Sequence, residues 1–376
     1  MDLRRNGATS RYTELPMRSS SKVVILVVAI FLVVSSRALA FDEFADLIGK
    51  PCVFCHVDPE GGGARNKIGQ IFEEHGFRFP TDFNLENPHK TEDGETETAV
   101  EETKSLTISG NIRTAYLLDQ DAEVNNTFFV MKSELAVIAR PTKNATAKLS
   151  YNLGQPLDAY GQVEILPLLT IRVGQFELPF GRPQRDHNIL IRQHYQLGSD
   201  VREIGMTLSG TNSFIEYALA VTNGNVDDKP YDRDGDKGVA GHLAFKIWRM
   251  KFGASGLKRQ LRTDPTILAA FFFSSVLSKK TFFEAEINVE RERSTTKSLG
   301  LYCTTKYRLT PKFSLAGRYE NLFLSAQQRR VLSVEDQQRL AFALRYKPYP
   351  LAALDFFYWA NFNRPNQALL MWSLWF

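Results

Sequence analysis

The chain has 376 residues, with 46 Lys and Arg against 42 Asp and Glu, for a formal charge of +4. So small an imbalance excludes a nucleic-acid footprint, and three cysteines are too few for a disulfide framework. Aromatic residues reach 12%, although past residue 40 no apolar run is long enough for a transmembrane helix.

Residues 1–40 read as a secretory signal peptide. A basic stretch precedes an apolar run, Val23 to Val34, which ends at the small-residue site Ala38-Leu39-Ala40. The run falls short of the roughly 20 residues a bilayer requires, so cleavage after Ala40 is expected. Met17 offers an alternative start, and an uncleaved anchor is the competing reading. Much of the basic excess lies in this segment.

Residues 41–85 form a small helical unit around Cys52-Val53-Phe54-Cys55-His56. Cys-x-x-Cys-His is the attachment sequence of c-type haem. Two thiols two residues apart match the spacing of the porphyrin vinyl groups, and the following His supplies the proximal iron nitrogen. One covalent haem c is therefore expected, held by Cys52 and Cys55 with His56 as iron ligand. A redox dithiol is the alternative, since a zinc site would need a second Cys pair. Pro59 and Gly61-Gly62-Gly63 make a turn, and Ile68, Ile71 and Phe72 stripe a second helix running Arg65 to His75. His75 is the first candidate for the distal iron ligand, ahead of His89 and Met131. A His at a helix C-terminus also suits the helix dipole alone. About forty residues bury little by themselves, so the unit is expected to pack against something larger.

Residues 86–105 are polar and acidic, with Glu92, Asp93, Glu95, Glu97, Glu101 and Glu102, and read as a solvated linker.

From 106 to 376 the hydrophobic period changes to two. Alternation is clear over 112–118, 132–139, 214–222, 282–290, 298–307, 313–322, 340–346 and 354–361, and about sixteen strands are expected. Short connections (141–143, 211–212, 309–311, 348–350) alternate with long polar ones (177–202, 223–238, 323–337). That is the pattern of an outer-membrane β-barrel with short periplasmic turns and long external loops. The even count leaves both chain ends in the periplasm. Leu370, Trp372, Leu374 and Phe376 share one face of the last strand, an apolar face suited to lipid. The predicted class is all-β: a transmembrane antiparallel barrel preceded by a small α-helical haem segment.

Arg182, Arg185, Arg192 and Arg202, with His187 and His194, crowd the long segment after residue 177. Two readings stand. The arginines line the pore and favour phosphate-like anions, or they sit on an external loop and pair with Asp186, Asp200 and Glu203. Asp232-x-Asp234-Gly235-Asp236 resembles part of a calcium loop, but Leu243 stands where the closing Glu belongs. Cys303 shares a strand face with Leu299 and Leu301 and reads as a lipid-facing or packed residue.

Two resemblances follow. Arg172-Val173-Gly174-Gln175-Phe176-Glu177-Leu178-Pro179-Phe180-Gly181 resembles the strand-to-loop signature of the phosphate-selective porin O and P family, and Val221-Thr222-Asn223-Gly224 a second feature of it. Cys-x-x-Cys-His followed by Gly69-x-x-Phe72-x-x-x-Gly76-Phe77 resembles the N-terminal segment of fused cytochrome–porin iron oxidases. Gly61-Gly62-Gly63 and the long acidic linker depart from that pattern. The resemblances imply an electron-transfer protein rather than a conventional enzyme, with metal oxidation as the associated activity. Its haem would exchange electrons between an extracellular donor or acceptor and a periplasmic cytochrome. An anion-selective diffusion porin with the haem unit as plug, sensor or docking site is the alternative. Outer-membrane lipid and a homotrimer are the remaining expected partners.

Overall fold

A computed structural model describes parts of residues 48–85 and most of 106–376, leaving out 120–125, 154, 167, 183–187, 199–200, 225–234, 260–265, 279, 293–294, 333–334, 350 and 363. The expected signal peptide, the acidic linker, Cys52, His89, Arg185 and His187 lie outside the described residues. All described residues belong to one compact unit, 37–376.

Sixteen antiparallel strands close into a barrel. They are β1 (Leu106–Asp119), β2 (Thr127–Thr142), β3 (Ala145–Asn152), β4 (Gln155–Leu166), β5 (Leu169–Phe176) and β6 (Glu203–Thr211). There follow β7 (Ile215–Thr222), β8 (Gly238–Ile247), β9 (Met250–Arg259), β10 (Thr266–Ser278) and β11 (Thr281–Glu292). The last five are β12 (Thr295–Arg308), β13 (Phe313–Leu324), β14 (Gln337–Tyr349), β15 (Ala352–Asn361) and β16 (Gln367–Trp375). Each strand pairs with its sequence neighbours, and β1 pairs with β16 to close the ring. Among the described residues three short helices accompany them: α1 (Lys67–Glu74), α2 (Leu190–His194) and α3 (Ala326–Leu332).

Side chains obey the period of two. On β16, Leu370, Trp372 and Leu374 face outward and are exposed, whereas Leu369, Met371 and Ser373 point inward and are buried. Val173, Met206, Leu219, Phe245, Phe271, Ile287 and Phe342 extend the outward apolar belt around the wall. A continuous exposed apolar surface is unfavourable in water, so the belt identifies a membrane-spanning barrel. Among the described residues no helix is long and apolar enough to cross a membrane; the strands do so. Cys303 is half-buried on the outward phase of β12, while its neighbours Tyr302 and Thr304 are buried inward.

The last residue completes the seam. Gly110 N donates to Phe376 O at 2.8 Å and Phe376 N to Gly110 O at 3.1 Å. The Phe376 ring lies over Gly110, where an added Cβ would stand 2.0 Å from its Cζ. Short turns at one end have local causes. Asn212 Oδ1 accepts from Phe214 N and Ile215 N, both at 2.8 Å, and Trp248 takes a φ of 54° between β8 and β9.

The core is the filled lumen. Phe180, Ile189, Ile191, Tyr195 and Leu197 of the connection 177–202 pack against Tyr160, Leu257, Leu268, Tyr302 and Leu322 of the wall. This long connection therefore folds inside the barrel.

Candidate functional site

The haem-motif segment is built on a glycine contact. Asn66 caps α1 by accepting Gly69 N at 3.0 Å, and its Nδ2 donates to Phe54 O at 3.0 Å. Asn66 N also donates to Cys55 O at 3.1 Å. The helix thus sits directly on the motif, and a Cβ at position 69 would stand 2.1 Å from Cys55 O. His56 and Arg65 form an isolated antiparallel bridge beside it. Phe72 is buried against Phe79 (4.7 Å), which stacks on Phe83 (4.3 Å) and meets Phe54 edge-on (6.3 Å). An aromatic cluster of this kind is suited to a flat apolar macrocycle, and a thiol beside an imidazole supplies donors of the required type. Of the expected haem residues, Cys55 and His56 are among those described.

α1 spans Lys67–Glu74, within the expected Arg65–His75, and His75 is its C-cap. His75 is exposed, and its Nδ1 lies 2.9 Å from Ile71 O. A carbonyl can only accept, so Nδ1 is the donor in this contact, and in the neutral ring Nε2 then holds the lone pair. Metal-binding histidines are commonly oriented in this way. Met131 instead packs against Ala115, Ala341, Trp359, Leu369 and Met371 on the lumen wall.

Two ion pairs tie the segment to the wall. Asp58 lies 3.0 Å from Lys148 Nζ of β3, and Glu73, itself paired with Arg65 at 2.6 Å, lies 2.5 Å from Lys347 Nζ of β14. Lys148 occupies an inward position, since its neighbour Leu149 is exposed. Lys347 stands beside the short β14–β15 turn, on the short-turn end of the barrel. The predicted packing of the small unit against a larger partner is met by the barrel itself.

The described loop arginines, Arg182, Arg192 and Arg202, each pair with a carboxylate of the barrel wall. Arg182 Nε contacts Glu284 at 2.6 Å, its Nη1 donates to Ser274 at 2.8 Å, and its backbone N donates to Glu286 at 2.9 Å. Arg192 donates to Glu286 at 2.7 Å and to Arg182 O at 2.9 Å. Arg202 pairs with Asp158 at 2.5 Å and approaches Glu177 at 3.6 Å. Glu203, the partner expected from sequence, takes Arg259 at 3.0 Å. Leu190 N donates to Glu320 at 2.6 Å, and Glu320 also takes Arg339 at 2.9 Å. Arg339 further donates to Asn188 O. Charges this buried persist only when paired, so the loop is bolted to the wall. Gly181 has φ +61°, and a Cβ there would meet Arg192 Nη2 at 2.7 Å. Asp186 and Asp200 lie outside the described residues.

The wall carboxylates Glu284, Glu286 and Glu320 and Lys148 were missed from sequence. Their signal was present: Glu284, Glu286, Asn288 and Glu290 repeat at period two opposite Phe283, Ala285 and Ile287. Polar residues on one phase of a barrel strand mark the lumen. His194 Nε2 stands 3.6 Å from Glu290, and burial holds the Tyr195 hydroxyl protonated far above its ordinary range, where it accepts Ser298 Oγ at 3.1 Å. Of the residues that resemble part of a calcium loop, Gly235 and Asp236 are described, while Asp232 and Asp234 lie outside the described residues. Leu243 faces outward from β8, away from any such site.

No family model matches the chain, and no curated protein matches it. Solved structures do. OmpF of Salmonella typhi in complex with daunomycin aligns with TM-score 0.57 at 10% identity, over 72% of this chain and 97% of that one. The outer membrane channel DcaP of Acinetobacter baumannii gives 0.54 at 13%, over 72% and 97%. OmpT, an outer membrane protein of Vibrio cholerae in its trimer form, gives 0.54 at 9%, over 72% and 99%. The fold is that of the outer-membrane porins: a closed sixteen-stranded antiparallel barrel with a folded-in loop.

Proposed function

We propose that this chain is an outer-membrane redox barrel, in which a haem-bearing N-terminal segment occupies a porin-type lumen and serves electron exchange between the exterior and the periplasm. The observation that carries this reading is the pair of contacts Asp58–Lys148 and Glu73–Lys347, which hold the Cys-x-x-Cys-His segment on the inner wall. An apolar belt about 25 Å tall separates the two sides, and a redox centre below it could not bridge that distance alone. A segment seated in the lumen shortens the gap.

Haem c, when bound, supplies one-electron iron chemistry. Cys52 and Cys55 would hold it, His56 would be the proximal ligand, and His75 the distal one through Nε2. The barrel positions the segment and shields it from bulk water. The trimer form of OmpT suggests a trimer for this chain as well.

The test uses the full-length protein in liposomes containing a soluble cytochrome, with an impermeant reductant outside. Reduction of the enclosed cytochrome is the expected result. Failure to reduce it, together with phosphate conduction, overturns the proposal. His75→Ala should convert a low-spin ferric spectrum to high spin; an unchanged spectrum removes His75 as ligand.

A second reading, a diffusion porin for phosphate-like anions, is favoured by the fold shared with OmpF and DcaP. Against it, Arg182, Arg192 and Arg202 each meet a wall carboxylate, which cancels much of the field an anion would feel.

A further inference from the structure

Five side chains of alternating charge run from the haem-motif segment to the folded-in loop: Asp58, Lys148, Asp158, Arg202 and Glu177. Lys148 Nζ lies 3.0 Å from Asp58 Oδ2 and 2.9 Å from Asp158 Oδ2. The other oxygen of Asp158 takes Arg202 Nε at 2.5 Å, and Arg202 Nη1 stands 3.6 Å from Glu177. The Asp158 side chain is 1% exposed, that of Lys148 3% and that of Arg202 5%, so water screens little of the middle of this line, while Asp58 at 17% and Glu177 at 30% are partly solvated. Ser150 fixes the central carboxylate, its Oγ donating to Oδ2 at 3.2 Å and accepting Asp158 N at 3.0 Å.

One buried carboxylate therefore faces two cations, and each cation contacts a different part of the chain. Lys148 also holds the segment; Arg202 lies at the loop's return to β6. If Asp58 withdraws, Lys148 loses one of the carboxylates described around it and draws harder on Asp158, at Arg202's expense. If Arg202 withdraws, Asp158 answers Lys148 alone and competes with Asp58. Each loss weakens the other contact, as coupling through a shared charge network requires.

We propose that Asp158 couples the N-terminal segment to the loop 177–202, so that movement of either loosens the other across the lumen. This device requires only the charges and does not rest on the haem.

Hydrogen exchange by mass spectrometry on the full-length protein in nanodiscs tests it, with heat-modifiable gel mobility confirming a folded barrel in each variant. Buried amides exchange through local opening and report it directly. Asp58→Asn should speed exchange in the loop peptide Leu190–Leu197, which the segment does not carry, by roughly threefold or more, the size of a modest coupling. Arg202→Gln should do the same for α1. Asp58→Asn lies on the segment rather than the wall, so barrel assembly does not depend on it. Glu73→Gln loosens α1 through its other contact and should leave the loop at wild-type rates. No change in the loop for Asp58→Asn, or none in α1 for Arg202→Gln, overturns the proposal. Equal acceleration of the loop by Glu73→Gln also overturns it, because the effect would then follow from displacing the segment at large.

Discussion

Two parts of the chain are held against the inner wall of the barrel, and they are held in different ways. The loop 177–202 is fixed by Ile189 and Ile191, each at most 1% exposed, and by arginines buried against Glu284, Glu286 and Asp158. The segment around Cys55 and His56 has its own small aromatic core of Phe72, Phe79 and Phe83, and reaches the wall through Asp58 and Glu73. The loop is part of the barrel's core; the segment is a unit seated on it. Burial cost explains the contrast. A desolvated Arg–Glu pair is costly to break once formed, whereas the Glu73–Lys347 pair, with side chains 14% and 19% exposed, keeps water within reach.

Three substitutions would break or sharpen this contrast. The largest effect is expected from Glu286→Ala, which strands the Arg192 guanidinium and the Arg182 amide. Removing one partner of a buried pair costs about 3–5 kcal/mol. Barrel unfolding in urea should shift to much lower concentration, and an unchanged midpoint would mean that the loop is not bolted as described. Gly69→Val comes next. Its side chain would meet Cys55 O, so α1 cannot sit on the motif. Overpacking of this kind costs about 1–3 kcal/mol, comparable to what so small a unit can supply. Limited proteolysis should then cut within 54–85 while the barrel resists; joint loss of both would erase the distinction. The smallest effect belongs to Lys347→Met, which removes one pair at the mouth. About 0.2–1 kcal/mol is expected, seen as a slightly lower salt concentration for protease access to α1.

Much of the fold was legible because barrel strands carry a strict two-residue alternation. The outward row Leu370, Trp372, Leu374 and the terminal Phe376 announced the final strand, and the short and long connections announced the topology. Strand ends were less legible: β2 begins at Thr127, well before the clearest alternation at 132. Pairing with a neighbour extends a strand past its own pattern. The Gly69 contact was visible only as a spaced motif, since a glycine's need for room depends on what approaches it.

The amino-acid sequence by itself determined the class of the wall, the approximate number of strands and the position of the Cys-x-x-Cys-His motif, because local period and spacing encode these directly. Only the tertiary structure decided where the arginines of 177–202 go. Arg182 and Glu284 are 102 residues apart, and Arg202 and Asp158 are 44 apart on different elements. A buried charge selects its partner by closure of the ring, which brings distant strands to one lumen, and no local pattern records that choice. The same closure set Lys148 beside Asp58, and so joined the Cys-x-x-Cys-His segment to the barrel.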